Sequence, residues 1–363
     1  MKRTPEQQVL FALLSGNIQE IPEDFNADRF WRLLKRHKLQ QLSEKILPLV
    51  SDEVQKGYKE ELRHWGAMSL LFFQELKNVN ALLQKSDIQM VVLKGPVLSY
   101  QVYHTFHHRY YSDLDILIHP GQLEKAALLL QEAGYVAPDG SSPSSIIQRE
   151  DHLEYNNDFV VRNPATGIVL EVHVGIYVAE LLDREGERAF MQRASDIEIS
   201  GHHFRVFSSE FNLVYICFHA AKHMFFRILW LSDIDGYIRE VAHDPERVIG
   251  LARELKMDKM LFISLALVRT YFQTPLPEEY RRFLSRHRHP VLLWCARGIL
   301  LGPGILVYES GDVNQAKKGK EKGIDQVKPV HYFWQLLFLV LLRRGIIRQA
   351  RFLFYQFRKR ILR

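Results

Sequence analysis

Apolar residues recur at helical spacing through residues 1–86, switch to strand-like alternation from 87 to 207, and return to helical spacing from 208 to 300. Phe30, Trp31, Leu33 and Leu34 form one stripe with Leu39 and Leu42; a longer stripe runs from about Val54 to Gln84 through Leu62, Met68, Leu71, Phe72, Leu76, Val79 and Leu83. Positions three and four apart share a helix face, so these residues are expected in a core. In the middle section, Leu114, Ile116 and Ile118 alternate with Asp113 and Asp115, and Ile168, Leu170, Val172 and Val174 alternate with Glu171 and His173. Period-two alternation predicts strands with one apolar face. Val91-Val92-Leu93 is a third short run, ending in Lys94-Gly95-Pro96. Gly95 permits a tight backbone and Pro96 suits a first helical turn, so a helix is expected over about 97–103. The pattern predicts an α+β fold divided at 1–86 (helical), 87–207 (mixed α/β core), 208–300 (helical, starting near Ser208, Ser209 and Glu210), 301–329 (linker) and 330–363 (basic amphipathic helices).

The chemistry concentrates in the strands. Asp113 and Asp115 stand two residues apart and project to one face. Two carboxylates on a rigid strand repel unless a cation lies between them, and Mg²⁺ favours such oxygen ligands together with substrate phosphates. Lys94 and the start of the following helix add an anion site beside them. Glu171 is a third acid, expected beside the pair if its strand lies adjacent and antiparallel. Later, His219 and His223 share a helix face and Asp233 and Asp235 follow on the next helix. Two histidines one turn apart can bind zinc, but no His-Glu-x-x-His pattern or cysteine pair supports that here, so a His–Asp network docking the helical region is expected. Lys222 and Arg227 either add positive charge near the substrate or lie on a solvated helix face. Asp139–Ser145 reads as a solvated turn or as a flap over the site.

Composition narrows the class. The chain has 363 residues, 47% hydrophobic and 25% charged, as in ordinary globular proteins. Cys217 and Cys295 are its two cysteines, both in apolar helical contexts; this argues against a disulfide framework and fits a reducing, cytoplasmic setting. No signal peptide is recognisable at the start. The net charge of +6 owes much to residues after 317, and no motif that reads a specific nucleic acid is present. Residues 301–329, with Gly302-Pro-Gly304 and Lys317–Lys322, read as a linker. Tyr332–Leu342 is too short an apolar run to span a bilayer, and it leads into Arg343, Arg344, Arg348, Arg351, Arg358, Lys359, Arg360 and Arg363. The segment 331–363 suits either peripheral contact with an anionic membrane, at its inner face, or packing on the body with a basic outer surface.

The sequence Leu93-Lys94-Gly95, then Arg109-x-x-Ser112-Asp113-x-Asp115, then Glu171-Val-His173 resembles the uncharacterised nucleotidyltransferase family of the DNA polymerase β-like superfamily, in particular bacterial members with a Leu-Lys-Gly turn. His219-Ala-Ala-Lys-His223 and Leu229–Asp235 fit the same resemblance, which covers roughly residues 30–300. It implies a small mixed sheet flanked by helices, and transfer of a nucleoside monophosphate from an NTP to an unidentified hydroxyl-bearing acceptor, whether small molecule, sugar or protein. It further implies two Mg²⁺ ions, replaceable by Mn²⁺, held by Asp113, Asp115 and Glu171 as catalytic and metal-binding residues. Lys94, Gly95, Arg109, Ser112 and His173 would contact the nucleotide or support the site. Three departures stand out: Lys94-Gly95 replaces the usual Gly-Ser turn, Glu171 replaces a frequent Asp, and Val174 follows the His where Trp is frequent. The missing serine keeps open an alternative, a catalytically degenerate binding or scaffold protein in a polysaccharide or natural-product pathway.

Overall fold

Alternation between residues 90 and 207 builds a single sheet, and the helical stripes before and after it supply both faces. The computed structural model describes residues 3–18, 20–147, 158–176 and 191–301. The proposed linker and basic C-terminal helices therefore lie outside the described residues, apart from Leu301. No helix among the described residues is long and apolar enough to cross a membrane.

The chain opens with α1 (Pro5–Leu14) and α2 (Ala27–His37), followed by the 33-residue helix α3 (Asp52–Gln84). Asn26 starts α2 by accepting a hydrogen bond from the Arg29 amide at 2.9 Å. Lys38 ends it in the left-handed region, φ 54°. Then come β1 (Met90–Val92), α4 (Gly95–Tyr103), β2 (Asp113–Ile118), α5 (Leu123–Glu132) and α6 (Pro143–Ile147). The strands β3 (Asp158–Arg162), β4 (Val169–His173), β5 (Ala194–Ile199) and β6 (His202–Phe207) complete the sheet. Among the described residues six helices follow: α7 (Ser209–Lys222), α8 (Ile228–Glu240), α9 (Pro245–Glu254), α10 (Asp258–Tyr271), α11 (Glu278–Arg286) and α12 (Pro290–Leu301).

The sheet is mixed, in the order β3-β4-β2-β1-β6-β5. Pairing is parallel for β2–β4 and β1–β6 and antiparallel for β1–β2, β3–β4 and β5–β6. Side-chain alternation assigns the two faces to two cores. Leu114, Ile116, Ile118, Leu170 and Val172 join Phe72, Leu76 and Val79 of α3 and Leu123 and Ala126 of α5. Val91, Leu93 and Leu117 join the larger core made with α1, α2 and the C-terminal helices. The acids of β2 and β4 therefore lie on the face covered by the C-terminal helices.

The α3 stripe differs from expectation at one position. Leu71 is 47% exposed, and the buried face runs through Trp65, Phe72, Phe73, Leu76, Val79 and Leu83. Successive helical residues are rotated by about 100°, which turns Leu71 off the face that holds Phe72. Asp139 closes a turn by accepting from the Ser141 amide at 3.0 Å, and α6 begins at Pro143, so the stretch 139–145 is a turn running into a helix.

The approach of α8 to α4 depends on a glycine. A Cβ at Gly236 would lie 2.3 Å from Cγ1 of Val102. Gly95 is needed for a different reason: its φ is +65°, while a Cβ there would meet Leu114 at an ordinary 3.7 Å.

Candidate active site

Strand register brings the acids together. In the β2–β4 ladder Asp115 pairs directly with Glu171, and Asp113 with Val169. The two strands run parallel, whereas an antiparallel neighbour was expected. The reason is topological: β3 precedes β4, takes the sheet edge and pairs antiparallel with it, leaving β4 parallel to β2. Glu171 still lands beside Asp115, because direct register partners on one face are close whichever way the strands run.

Histidine and lysine occupy the space around Asp115. His173 Nε2 lies 3.2 Å from Asp115 Oδ1 and 3.7 Å from Glu171 Oε2, while its Nδ1 lies 3.7 Å from Asp158 Oδ2. Lys94 Nζ lies 3.2 Å from Asp115 Oδ2. Both Asp115 oxygens thus have partners, and both side chains of the Lys94–Asp115 pair are buried. The Lys94 ammonium also sits 3.3 Å from His219 Nδ1 and 3.4 Å from Nε2. Lysine offers donors only, so the imidazole must accept.

The other expected site residues divide between the acids and the scaffold. Ser112 Oγ donates to Asp113 Oδ2 at 3.3 Å and accepts from Lys38 Nζ at 3.0 Å. Gly95 opens α4 immediately after Lys94. Arg109 is buried, and its Nε donates to both Asp233 oxygens at 3.1 and 3.0 Å, which joins the loop before β2 to α8. Tyr103 supports the same carboxylate at 3.3 Å. The docking contacts are not the expected His–Asp network: Asp233 is taken by Arg109 and Tyr103, and His219 lies beside Lys94. Asp235 serves α8 itself, accepting from Thr274 Oγ1 at 2.6 Å and Arg239 Nε at 2.8 Å. The His219 and His223 rings are 4.7 Å apart and pack against Trp230. Neither belongs to a cluster of three or more metal-ligating side chains among the described residues.

Three neighbours of the site were not singled out from the sequence. Lys38 reaches Ser112 from 74 residues away, through a left-handed helix end that no motif announces. Asp158 lies opposite His173 in the β3–β4 ladder; the short run Phe159-Val160-Val161 between Asp158 and Arg162 was the available signal of a strand. Tyr215 lies within electrostatic reach of Lys94, Asp115 and Glu171.

The charges bias one another. Burial alone would raise the Asp115 carboxyl, but Lys94 and His173 outweigh it and hold the group well below the usual carboxylate range. Burial and the adjacent Asp115 and Asp113 push Glu171 the other way, up to about 9. Burial opposes the charge on Lys94, yet the surrounding acids, led by Asp115, hold it above its ordinary value. Burial and Lys94 drive His219 well below its ordinary value, which keeps the ring neutral as the acceptor Lys94 requires. One acid held ionised beside one held protonated is the separation that acid–base chemistry uses.

Asp115, Glu171 and His173 each offer a ligand atom within 4.8 Å of the others, and no further group of three or more such side chains occurs among the described residues. Carboxylate oxygens suit Mg²⁺ or Mn²⁺, while His173 is placed to orient Asp115. The donor set therefore fits a hard divalent cation. A depression of about 540 Å³ on the solvent face of α3, lined by Asp52, Gln55, Lys56, Lys59, Glu60 and Arg63, contains none of these residues.

A mixed sheet with in-register carboxylates, flanked by a Lys-Gly turn that opens a helix, is an arrangement suited to nucleotidyl transfer. The chain belongs to the uncharacterised nucleotidyltransferase family, whose model matches residues 23–273, and is a nucleotidyltransferase by that membership. No curated protein matches the chain. Among solved structures, ANT(2″)-Ia in complex with adenylyl-2″-tobramycin is similar at 11% identity and a TM-score of 0.35, over 50% of this chain and 95% of that one. An antigenic nucleotidyltransferase-like protein from Paracoccidioides brasiliensis is similar at 16% identity and a TM-score of 0.34, over 62% of this chain and 93% of that one. The assignment rests on the family match.

Proposed function

We propose that this protein transfers a nucleoside monophosphate from an NTP to a hydroxyl-bearing acceptor, using the face of β2 and β4 that carries Asp113, Asp115 and Glu171. The observation that supports this best is the direct pairing of Asp115 with Glu171, with Lys94 at hydrogen-bond distance from the former.

Asp115 and Glu171, with Asp113 at the start of the same strand, would hold the divalent cation, Mg²⁺ or Mn²⁺. When bound, such ions polarise a phosphoryl oxygen and favour the alkoxide form of an acceptor. The chain's own groups do the rest. Lys94 and the amide groups at the start of α4 place positive charge beside the acids, where a triphosphate needs neutralising. Gly95, with its positive φ, supplies the left-handed turn between Lys94 and the helix. Burial and Asp115 raise the proton affinity of Glu171 in the metal-free protein, so it would act as base toward the acceptor's hydroxyl only in its ionised form, which a bound cation favours. His173 braces Asp115, and Ser112 braces Asp113. Arg109 holds the loop that delivers Asp113 to the sheet by anchoring it to Asp233.

A second reading is supported by Lys94 pairing with Asp115 and by the absence of a serine in the turn: a binding protein that retains the fold without turnover. Titration with NTPs, with and without Mg²⁺, on the wild type and on Asp113→Asn/Asp115→Asn, tests the assigned site. The expected result is Mg²⁺-dependent NTP binding that the double variant loses. Equal binding by the double variant would show that the site is elsewhere. Pyrophosphate release in the presence of acceptor pools then separates the enzyme from the binding protein.

A further inference from the structure

Lys94 stands where a divalent cation would take its Asp115 oxygen. Its Nζ is 3.2 Å from Asp115 Oδ2, the pair is buried, and Asp115 Oδ1 is engaged by His173. The ammonium is also held by His219 at 3.3 Å from a helix on the opposite wall, so its position is set by two elements. An ammonium and a divalent cation cannot share one carboxylate oxygen at contact distance without strong repulsion in a site removed from water. Lys94 is also the residue immediately before α4, whose first amides face any anion bound at the turn. A triphosphate there would offer the ammonium a second anionic partner within the reach of its side chain.

Resting on the site assigned above, we infer that Lys94 is a built-in counter-ion that competes with divalent cations for Asp115, and that a bound triphosphate relieves the competition by taking the ammonium. Metal and nucleotide then bind with positive coupling: each is weak alone, and each strengthens the other. Coupling of this kind is reciprocal by thermodynamic necessity. It would keep a free acidic site from loading cations in the absence of substrate.

The test is Mn²⁺ binding to the full chain, read by the electron paramagnetic resonance signal of free Mn²⁺, with and without a non-hydrolysable ATP analogue, each titration referenced to a protein-free one because the triphosphate itself chelates Mn²⁺. Wild type should bind Mn²⁺ weakly alone and about tenfold or more tightly with the analogue. Lys94→Met should bind Mn²⁺ alone about tenfold more tightly than wild type, and the analogue should add little. Lys94→Gln serves if the methionine variant does not fold, and Lys94→Arg, which keeps the charge, should stay as weak as wild type. A neutral variant that binds Mn²⁺ no better than wild type overturns the inference. Asp115→Asn separates the two levels. If it leaves Mn²⁺ binding intact, the site assignment itself fails; if it abolishes binding while Lys94→Met gives no gain, only the counter-ion inference fails. Wild type gives a check independent of any variant: saturating Mn²⁺ should increase acylation of Lys94 by an amine-reactive reagent, as read by mass spectrometry, and unchanged labelling contradicts the exchange.

Discussion

Replacing Arg109 by Met tests the link between the acidic strand and the helical region. The Arg109–Asp233 side chains are 5% and 3% exposed, and Nε contacts both carboxylate oxygens. At charge separations near 4 Å and an effective dielectric of about 20, their attraction is about 4 kcal/mol. Removing one partner leaves a buried charge uncompensated, which costs about 3–5 kcal/mol in comparable pairs. Asp233 has a partial escape. Burial already raises its proton affinity against the pull of Arg109, and without the guanidinium the carboxyl can protonate, while Tyr103 retains its hydrogen bond. The sign follows from linkage. A carboxyl whose folded pKa lies above its unfolded value takes up a proton on folding, so stability rises as pH falls through the folded value toward the unfolded one. Arg109→Met should therefore lose about 3 kcal/mol near pH 8 and distinctly less near pH 5. Urea unfolding followed by circular dichroism measures this. The double variant Arg109→Met/Asp233→Leu should recover most of the loss, because an apolar pair can replace a buried ion pair at little cost. A loss under about 1 kcal/mol, unchanged between the two pH values, would refute the reasoning.

Other outcomes follow from the same geometry. Gly236→Ala forces a methyl into Val102 of α4, a stiff β-branched neighbour, and should cost about 1–3 kcal/mol; adding Val102→Ala should restore part of the loss in the same unfolding assay. Gly95→Ala has room for its methyl but not the backbone freedom, so a loss of about 1–2 kcal/mol is expected together with weaker NTP binding by titration calorimetry. Glu171 titrates near 9 in the fold against 4.5 ordinarily, so the metal-free protein binds an extra proton over that window and loses stability as pH rises through it. Glu171→Gln should flatten that decline in melting temperature between pH 5 and 9; an unchanged profile would show that Glu171 is not raised.

Much of the candidate site's placement was readable from the sequence because strand alternation is a local signal. Asp113, Asp115, Glu171 and His173 fall on polar positions between buried Leu114, Ile116, Leu170 and Val172, and register alone then sets Asp115 beside Glu171. The helix after Lys94-Gly95-Pro96 was equally local, since it follows from proline and glycine geometry. Long-range choices were not encoded this way. Whether β4 ran parallel or antiparallel to β2 depended on β3 taking the edge. That Arg109 turns to Asp233 depended on where α8 docks, 124 residues later. Lys38 and Gly236 gained their meaning only from close approaches that no spacing along the chain announces. Leu71 shows the limit within a single helix: an apolar residue one position off the stripe faces solvent.

The most direct test of the account is the anomalous diffraction signal of Mn²⁺ in crystals grown with Mn²⁺ and a non-hydrolysable NTP analogue. The expected result is a peak bounded by the carboxylates of Asp115 and Glu171, with the triphosphate beside Lys94 and the start of α4. Bound nucleotide with no peak at those carboxylates, or with its phosphates on another surface, would contradict it.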